Sequence, residues 1–248
     1  MTRRALRMAA LLLAASAAAA PAWAQPAPVA AANPAREALA LELATMLNSE
    51  TTLMGAVARM LDQSLPNAMM ANADVADLER QYPGLLKEMI DAMKPVMIRH
   101  MRAELPELWR QVAALYAANL TEADMRVTLA FYRSPAGARI IELMIAETDF
   151  EPVLRDMAKS NNYDVPDKAL TDTVRASAGR VPSRLTPAET DAAMRFGASP
   201  EGRHVVALTP RVQAMVIAWS SQPTPELDAE LERVTMEVVE KRLGVPLK

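Results

Sequence analysis

The stretch LTEADMRVTLAFYRSPAGARIIEL (120–143) decides the fold, because the chain returns to the same pattern in LTPAETDAAMRFGASPEGRHVVAL (185–208). The two stretches align without a gap, and eight of the 24 aligned positions are identical. The identical positions include residues with special backbone roles, which argues against a chance match. Internal repeats of supersecondary units are common in helical folds. The pattern therefore predicts a duplicated helical unit.

Each stretch carries a signal that opens a helix. Thr121 and Asp124 have the spacing of a capping box, in which the threonine oxygen accepts a backbone hydrogen bond and the acid reaches back. Thr186 and Glu189 repeat this spacing, with Pro187 at the first helical position. We therefore expect a helix to begin at each threonine.

The same stretches predict a sharp corner. A residue that precedes proline avoids the α region, so these helices should end at Ser134 and Ser199. Each serine is then placed to cap a second helix, whose first residue is Pro135 or Pro200. We expect two copies of a helix, a Ser-Pro corner and a second helix.

Two further features of the corner concern packing. Gly137 and Gly202 lie in the first turn of the second helix, where the missing side chain lets another helix or a ligand approach the backbone. Phe131 and Phe196 lie three residues before the corner, and we expect each ring to pack between the two helices of its own copy. A helix start with glycine can also bind an anion, but a Ser-Pro start is more often structural.

The rest of the chain predicts an all-α protein. Only 7 of the 248 residues are glycine, and the helix formers Ala, Leu, Met, Glu and Arg are abundant. We expect a helical bundle made of an N-terminal helical segment (34–82), a first helical unit (83–160) and a second, divergent helical unit (161–248). A final amphipathic helix, from Thr224 to Gly244, is expected to close the core or to pair with a second chain.

Caps and prolines set the expected helix ends. Asn33 should cap a helix that opens at Pro34. Pro66 should end the N-terminal run. In the strongly periodic segment that follows, we expect Pro95 to kink the helix and Pro106 to end it or kink it again.

The first 24 residues have the layout of a cleaved secretory signal, with a basic start, an apolar run and small residues before a cleavage point between Ala24 and Gln25. The apolar run is shorter than the ~20 residues that span a bilayer. We expect a signal peptide (1–24), a flexible leader (25–33) and a periplasmic or secreted mature chain with no membrane span.

Composition excludes several classes of function. The chain has no cysteine, so disulfides, thiolate metal sites and cysteine nucleophiles are ruled out. Loss of the three arginines of the signal would leave 24 basic residues against 30 acidic ones, a net charge of −6. That charge disfavours nucleic acid as a partner.

The segment from Tyr116 through ANLTEADM and AFYRSPAGARII resembles the bacterial domain of unknown function 2059 (DUF2059), whose hallmark is a stretch like NLTEEEL followed by FYxSPxG. The resemblance covers 85–145 well and 165–210 weakly. In the second copy Gly197 stands at the position of Tyr132, so a side-chain role of Tyr132 does not carry over to it. The resemblance implies an exported helical protein, and it implies no reaction and no catalytic residue.

Two histidines, His100 and His204, are the candidates for acid–base chemistry. Each has a glutamate three or four residues away, but neither has a serine nucleophile in a recognisable elbow. Acid pairs, phosphate loops and zinc spacings are also absent as motifs. The sequence therefore predicts no catalytic residue and no cofactor.

A methionine stripe offers a metal alternative. Met93, Met97 and His100 share one predicted helix face, and thioether and imidazole ligands suit copper(I). Methionine is also an adaptable filler of cores and of partner-binding grooves. The leading hypothesis is an exported, non-enzymatic binding or structural module with an unknown protein partner or self-association. Periplasmic copper binding and an enzyme of unknown type are the alternatives.

Overall fold

The computed structural model describes residues 33–147, 149–151, 154, 167–220 and 224–244. All regular structure in these residues is helical, which confirms the predicted all-α class. The α-helices described are α1 (Pro34–Leu47), α2 (Glu50–Arg59), α3 (Leu65–Met70), α4 (Ala73–Gln81), α5 (Leu85–Asn119), α6 (Glu122–Arg133), α7 (Pro135–Glu147), α8 (Asp167–Arg180), α9 (Pro187–Ala198), α10 (Pro200–Ser220) and α11 (Pro225–Leu243).

Three predictions fall outside these ranges. The predicted signal peptide (1–24), the predicted leader except for Asn33, and the predicted boundary between residues 160 and 161 all lie outside the described residues. They therefore remain predictions. Among the described helices, none combines the length and apolar character that crossing a bilayer requires.

The long helix α5 is the centre of the fold. It begins after Gly84, whose φ of 89° is in the left-handed region that favours glycine. The carboxylate of Glu79 accepts hydrogen bonds from the backbone N–H groups of Gly84 and Leu86, at 2.6 and 2.9 Å. These bonds satisfy donors that a helix start leaves without partners. Helices α1 and α11 both pack along α5.

Helix α5 continues through both of its prolines. Pro106 was expected to end or kink this helix, but α5 extends to Asn119, so the predicted end is wrong. Both Pro95 and Pro106 lie on its exposed side. Water can therefore reach the carbonyl groups that lose their N–H partners, and the apolar face is undisturbed.

The N-terminal run also continues through Pro66, where we had expected it to end. A π-helical turn, Met60–Ser64, follows α2, and Pro66 occupies the first turn of α3. Proline is tolerated in the first turn, because N–H groups there lack intrahelical partners. The wider hydrogen-bonding pattern of the π turn thus lets the chain remain helical around the proline.

The first helices begin and end at capping side chains. Asn33 caps α1 as expected, because its side-chain oxygen accepts from the N–H groups of Ala35 and Arg36 at 3.1 and 3.4 Å. Between α1 and α2, Trp109 of α5 donates its indole N–H to the Asn48 carbonyl at 2.7 Å. This bond fixes the break between α1 and α2 against the central helix.

One large apolar core joins the helices. It takes buried residues from α1, α2, α5, α6, α10 and α11. Leu227 and Leu231 of α11 are among them, so the final described helix closes the core, one of the two roles expected for it. A second, smaller cluster lies around Leu143, Met144 and Val181.

Candidate functional site

Both threonines of the repeated stretch close a capping box. In the first, Asp124 N donates to Thr121 Oγ1 at 3.1 Å and Thr121 N donates to Asp124 Oδ2 at 2.8 Å. In the second, the corresponding distances for Glu189 and Thr186 are 3.3 and 2.7 Å. These boxes begin α6 and α9 at aligned positions. We call the corner between α6 and α7 the first corner, and the corner between α9 and α10 the second corner.

The serine hydroxyl of each corner makes two hydrogen bonds to the backbone. Ser134 Oγ donates to the Phe131 carbonyl at 2.6 Å and accepts from Gly137 N at 3.3 Å. In the second corner, Ser199 Oγ donates to the carbonyl of Phe196 at 2.7 Å and accepts from the N–H of the aligned glycine at 3.0 Å. Each serine thus ends one helix and caps the next.

The glycine of each corner allows two backbones to touch. A Cβ built on Gly137 would clash with the Phe131 carbonyl oxygen and would lie 2.5 Å from Tyr132 Cα. A Cβ on Gly202 would fall on the Phe196 carbonyl oxygen. The close neighbour is therefore the last turn of the preceding helix, and no side chain larger than hydrogen fits without moving it.

The two phenylalanines stack on each other. The ring centroids of Phe131 and Phe196 lie 4.1 Å apart with an interplanar angle of 3°. We had expected each ring to pack between the helices of its own corner; the ring partner that the structure shows belongs to the other corner. Tyr132 meets both rings edge-on, with centroid distances of 5.0 and 5.8 Å. Burial raises the pKa of Tyr132 to about 12.

A carboxylate–imidazole contact joins the two corners beside this stack. His204 Nδ1 of α10 lies 2.9 Å from Asp124 Oδ1 of α6. The Asp124 side chain is 5 % exposed, whereas the His204 ring is 60 % exposed. Burial disfavours the charged carboxylate, but hydrogen bonds from Thr121 and from His204 outweigh it and lower the pKa of Asp124.

A weaker electrostatic interaction lies at the aligned positions. Glu189 aligns with Asp124, and Arg139 aligns with His204. Hydrogen bonds from Thr186 lower the pKa of Glu189, and the positive charge of Arg139 lowers it further. Arg139 forms its ion pair with Glu142 of its own helix, at 2.8 Å, so its effect on Glu189 acts without an ion pair between them. The ring stack and the contact between Asp124 and His204 are what join the two corners.

Sequence reasoning did not find the partner of His204. We had considered the nearby Glu201, whereas the structure brings in Asp124, which is 80 residues away. The gapless alignment contained a signal that we did not use: it aligns Asp124 with Glu189 and Arg139 with His204, so acidic and basic residues occupy the same positions in both copies. The other histidine, His100, has its Nε2 atom buried 2.8 Å from Glu104 Oε1, in a geometry without a hydrogen bond.

The methionines proposed as copper ligands lie in the main core. Met93 is 5 % exposed and Met97 is 1 % exposed, and both pack in the large apolar cluster. His100 is only partly buried on the same helix. Within the described residues, no group of three or more His, Asp or Glu side chains is arranged to hold a metal ion. Copper binding through methionine stays a prediction.

A charged cleft of about 450 Å³ lies at the C-terminal end of α7. The guanidinium groups of Arg59 and Arg180 donate to the carbonyl oxygens of Ala146 and Glu147, the last residues of that helix. A helix end carries partial negative charge and carbonyl groups without partners, so both arginines stabilise it. The lining residues are Arg59, Gln63, Ser64, Asn67, Ala146, Glu147, Asp149, Glu151 and Arg180.

Comparison with known proteins identifies the segment around the first corner. No curated protein and no solved structure matches the chain. The family described as "Uncharacterized protein conserved in bacteria (DUF2059)" matches residues 106–149, which include the C-terminal part of α5, then α6, the first corner and α7. The second corner lies outside the matched residues. Over residues 106–149, the chain is similar to the bacterial DUF2059 family.

Proposed function

We propose that the protein is an exported, non-enzymatic helical module with a binding or structural role. One observation carries the proposal: the reactive side chains at the two corners are already used to hold the fold. Ser134 and Ser199 cap helices through their hydroxyl groups. Asp124 and His204 join the two corners. A serine nucleophile needs a neighbouring base and a free hydroxyl, and neither corner offers both.

The corners supply rigidity, which suits a module that presents a surface. Each glycine brings two helices into backbone contact, and the stacked rings of Phe131 and Phe196 fix one corner against the other. Close packing of this kind resists small deformations. A partner would therefore meet a preformed helical surface, which lowers the conformational cost of binding.

Export is supported by the sequence of the first 24 residues, and a mass measurement tests it. The chain, produced in a bacterium with a C-terminal tag, should be recovered from the periplasm or the medium with Gln25 as its first residue. Recovery of an unprocessed chain from the cytoplasm would contradict export.

The non-enzymatic role is tested with a His204→Gln variant. The glutamine amide can still donate to Asp124, so the corner should keep its shape, but acid–base chemistry is lost. The variant should complement a deletion strain as well as the wild type and keep the same crosslinked partners inside cells. Arg203→Gln, at the exposed neighbouring position, is the matched control. A folded and exported His204→Gln chain that fails to complement, while the control succeeds, would favour an enzyme.

A further inference from the structure

The first helices of the two corners differ in how they are covered. Leu129 of α6 is 2 % exposed, whereas Met194 at the aligned position of α9 is 66 % exposed. Helix α1 packs against α6. In the described part of the chain, no helix takes the corresponding place on α9, and α9 has no fully buried residue.

Specific polar contacts hold α1 on α6. The guanidinium group of Arg36 donates to the Leu120 carbonyl at 2.6 and 3.0 Å. Glu42 of α1 forms an ion pair with Arg133 of α6. The first corner thus shows how a helix docks on this face, with apolar contacts flanked by charge pairs. The same face of the second corner is open.

The open face of α9 carries a self-complementary pattern. Its exposed residues recur every three or four positions, which places them on one side of the helix. Asp191 and Arg195 flank Met194, and neither side chain forms an ion pair or a hydrogen bond with the described residues. Ala188 and Ala198 lie at the two ends of the stripe, where small side chains allow a second helix to come close.

We propose that this face, residues 188–198 of α9, binds the same face of a second copy of the chain, with the two α9 helices antiparallel about a two-fold axis. Asp191 then meets Arg195 of the partner subunit, and the symmetry makes the same ion pair a second time. Met194 lies beside the axis, and Ala188 faces Ala198 of the partner subunit. The occupant is a second copy because the charges complement their own symmetry-related set.

This inference rests on the proposed structural role and specifies its partner. The stripe is only about three helical turns long, so the area buried is below that of a standard interface. We therefore expect a weak homodimer. Such a dimer would form where the chain is concentrated or tethered.

Charge reversal tests the proposal by sedimentation equilibrium of the full purified chain. Asp191→Arg or Arg195→Asp alone places like charges opposite each other twice, so each should weaken the dimer at least tenfold. The double reversal restores opposite charges and should return the dissociation constant to within about threefold of the wild type. Arg126→Asp, a reversal at the position of α6 aligned with Asp191, is the matched control and should leave association unchanged.

A cysteine probe gives an independent reading. Because the chain has no cysteine, Met194→Cys introduces a single thiol near the proposed axis, and a short bis-maleimide should link two copies. Val127→Cys, exposed on α6, should link far less. A chain that stays monomeric at several hundred micromolar, a dimer indifferent to the single reversals, or equal crosslinking at both thiols would overturn the proposal. If the chain proves to be monomeric, the homodimer is refuted and the proposed binding role is unaffected. If His204→Gln fails to complement, the proposed binding role is refuted even when the dimer forms.

Discussion

The contact between Phe131 and Phe196 supports a quantitative prediction about how the two corners are joined. We expect Phe131→Ala and Phe196→Ala each to destabilise the chain, and the double variant to be less unstable than the sum of the two changes. The reason is that each single change also removes the stacking partner of the other ring. The deficit from additivity measures the stack itself.

The magnitude follows from burial and geometry. A fully buried phenylalanine replaced by alanine costs about 3–5 kcal/mol. Both rings are partly exposed, so we expect about 2–3 kcal/mol for each single change. An aromatic pair in good geometry adds about 0.5–1.5 kcal/mol beyond its area. The rings are parallel at 4.1 Å and Tyr132 borders both, so a coupling energy of about 1 kcal/mol is expected.

The assay is urea unfolding followed by far-ultraviolet circular dichroism, with the slope compared between variants. As a control for additivity, Phe131→Ala is combined with Leu231→Ala, a core change in α11. That pair should add to within about 0.5 kcal/mol. The reasoning is refuted if either phenylalanine change costs less than about 1 kcal/mol, or if the coupling in the Phe131–Phe196 cycle is no larger than in the control pair.

Three further predictions concern the same region. Gly202→Ala should lower the free energy of unfolding by about 2 kcal/mol or more, because the added Cβ meets the preceding helix. Gly197→Ala, with open space around it, should instead raise the free energy of unfolding by about 0.5–1 kcal/mol. Equal effects of the two changes in urea unfolding would disprove the contact at Gly202. The lowered pKa of Asp124 stabilises the folded chain at pH values above the unfolded pKa of about 4, and this contribution is lost as the pH falls. The difference in the free energy of unfolding between the wild type and Asp124→Asn should therefore shrink from pH 7 to pH 3. A constant difference would contradict the prediction. Tyr132 is neutral in the folded chain, with a pKa of about 12, so the free energy of unfolding should fall as the pH rises above about 10. The loss should be smaller in Tyr132→Phe. Identical alkaline unfolding curves for the two chains would argue against a buried phenol.

Local rules were enough to predict the corners. A capping box spans four residues, and the serine, proline and glycine of each corner also lie within four residues of one another. Their effects are set by backbone geometry that does not depend on the rest of the fold. The sequence therefore indicated where α6, α7, α9 and α10 begin.

Contacts between distant segments could not be predicted by those rules. The ring stack joins residues 65 positions apart, and the contact between Asp124 and His204 joins residues 80 apart. Proline gave wrong helix ends for a different reason. Its cost depends on whether solvent or a wider turn can accommodate the freed carbonyl groups. The helix continues through Pro106 because that side of the helix is exposed to solvent, and it continues through Pro66 because a π turn precedes the proline. Residue propensities predict neither of these features.

The position of α11 on α5 has a consequence for the order of folding. Residues 225–243 cover an apolar face whose own helix is complete by Asn119, more than a hundred residues earlier. Until α11 docks, that face stays uncovered, because no nearer segment takes its place in the described chain. A chain truncated before residue 225 would present this surface to chaperones and should bind them more than the full-length protein does.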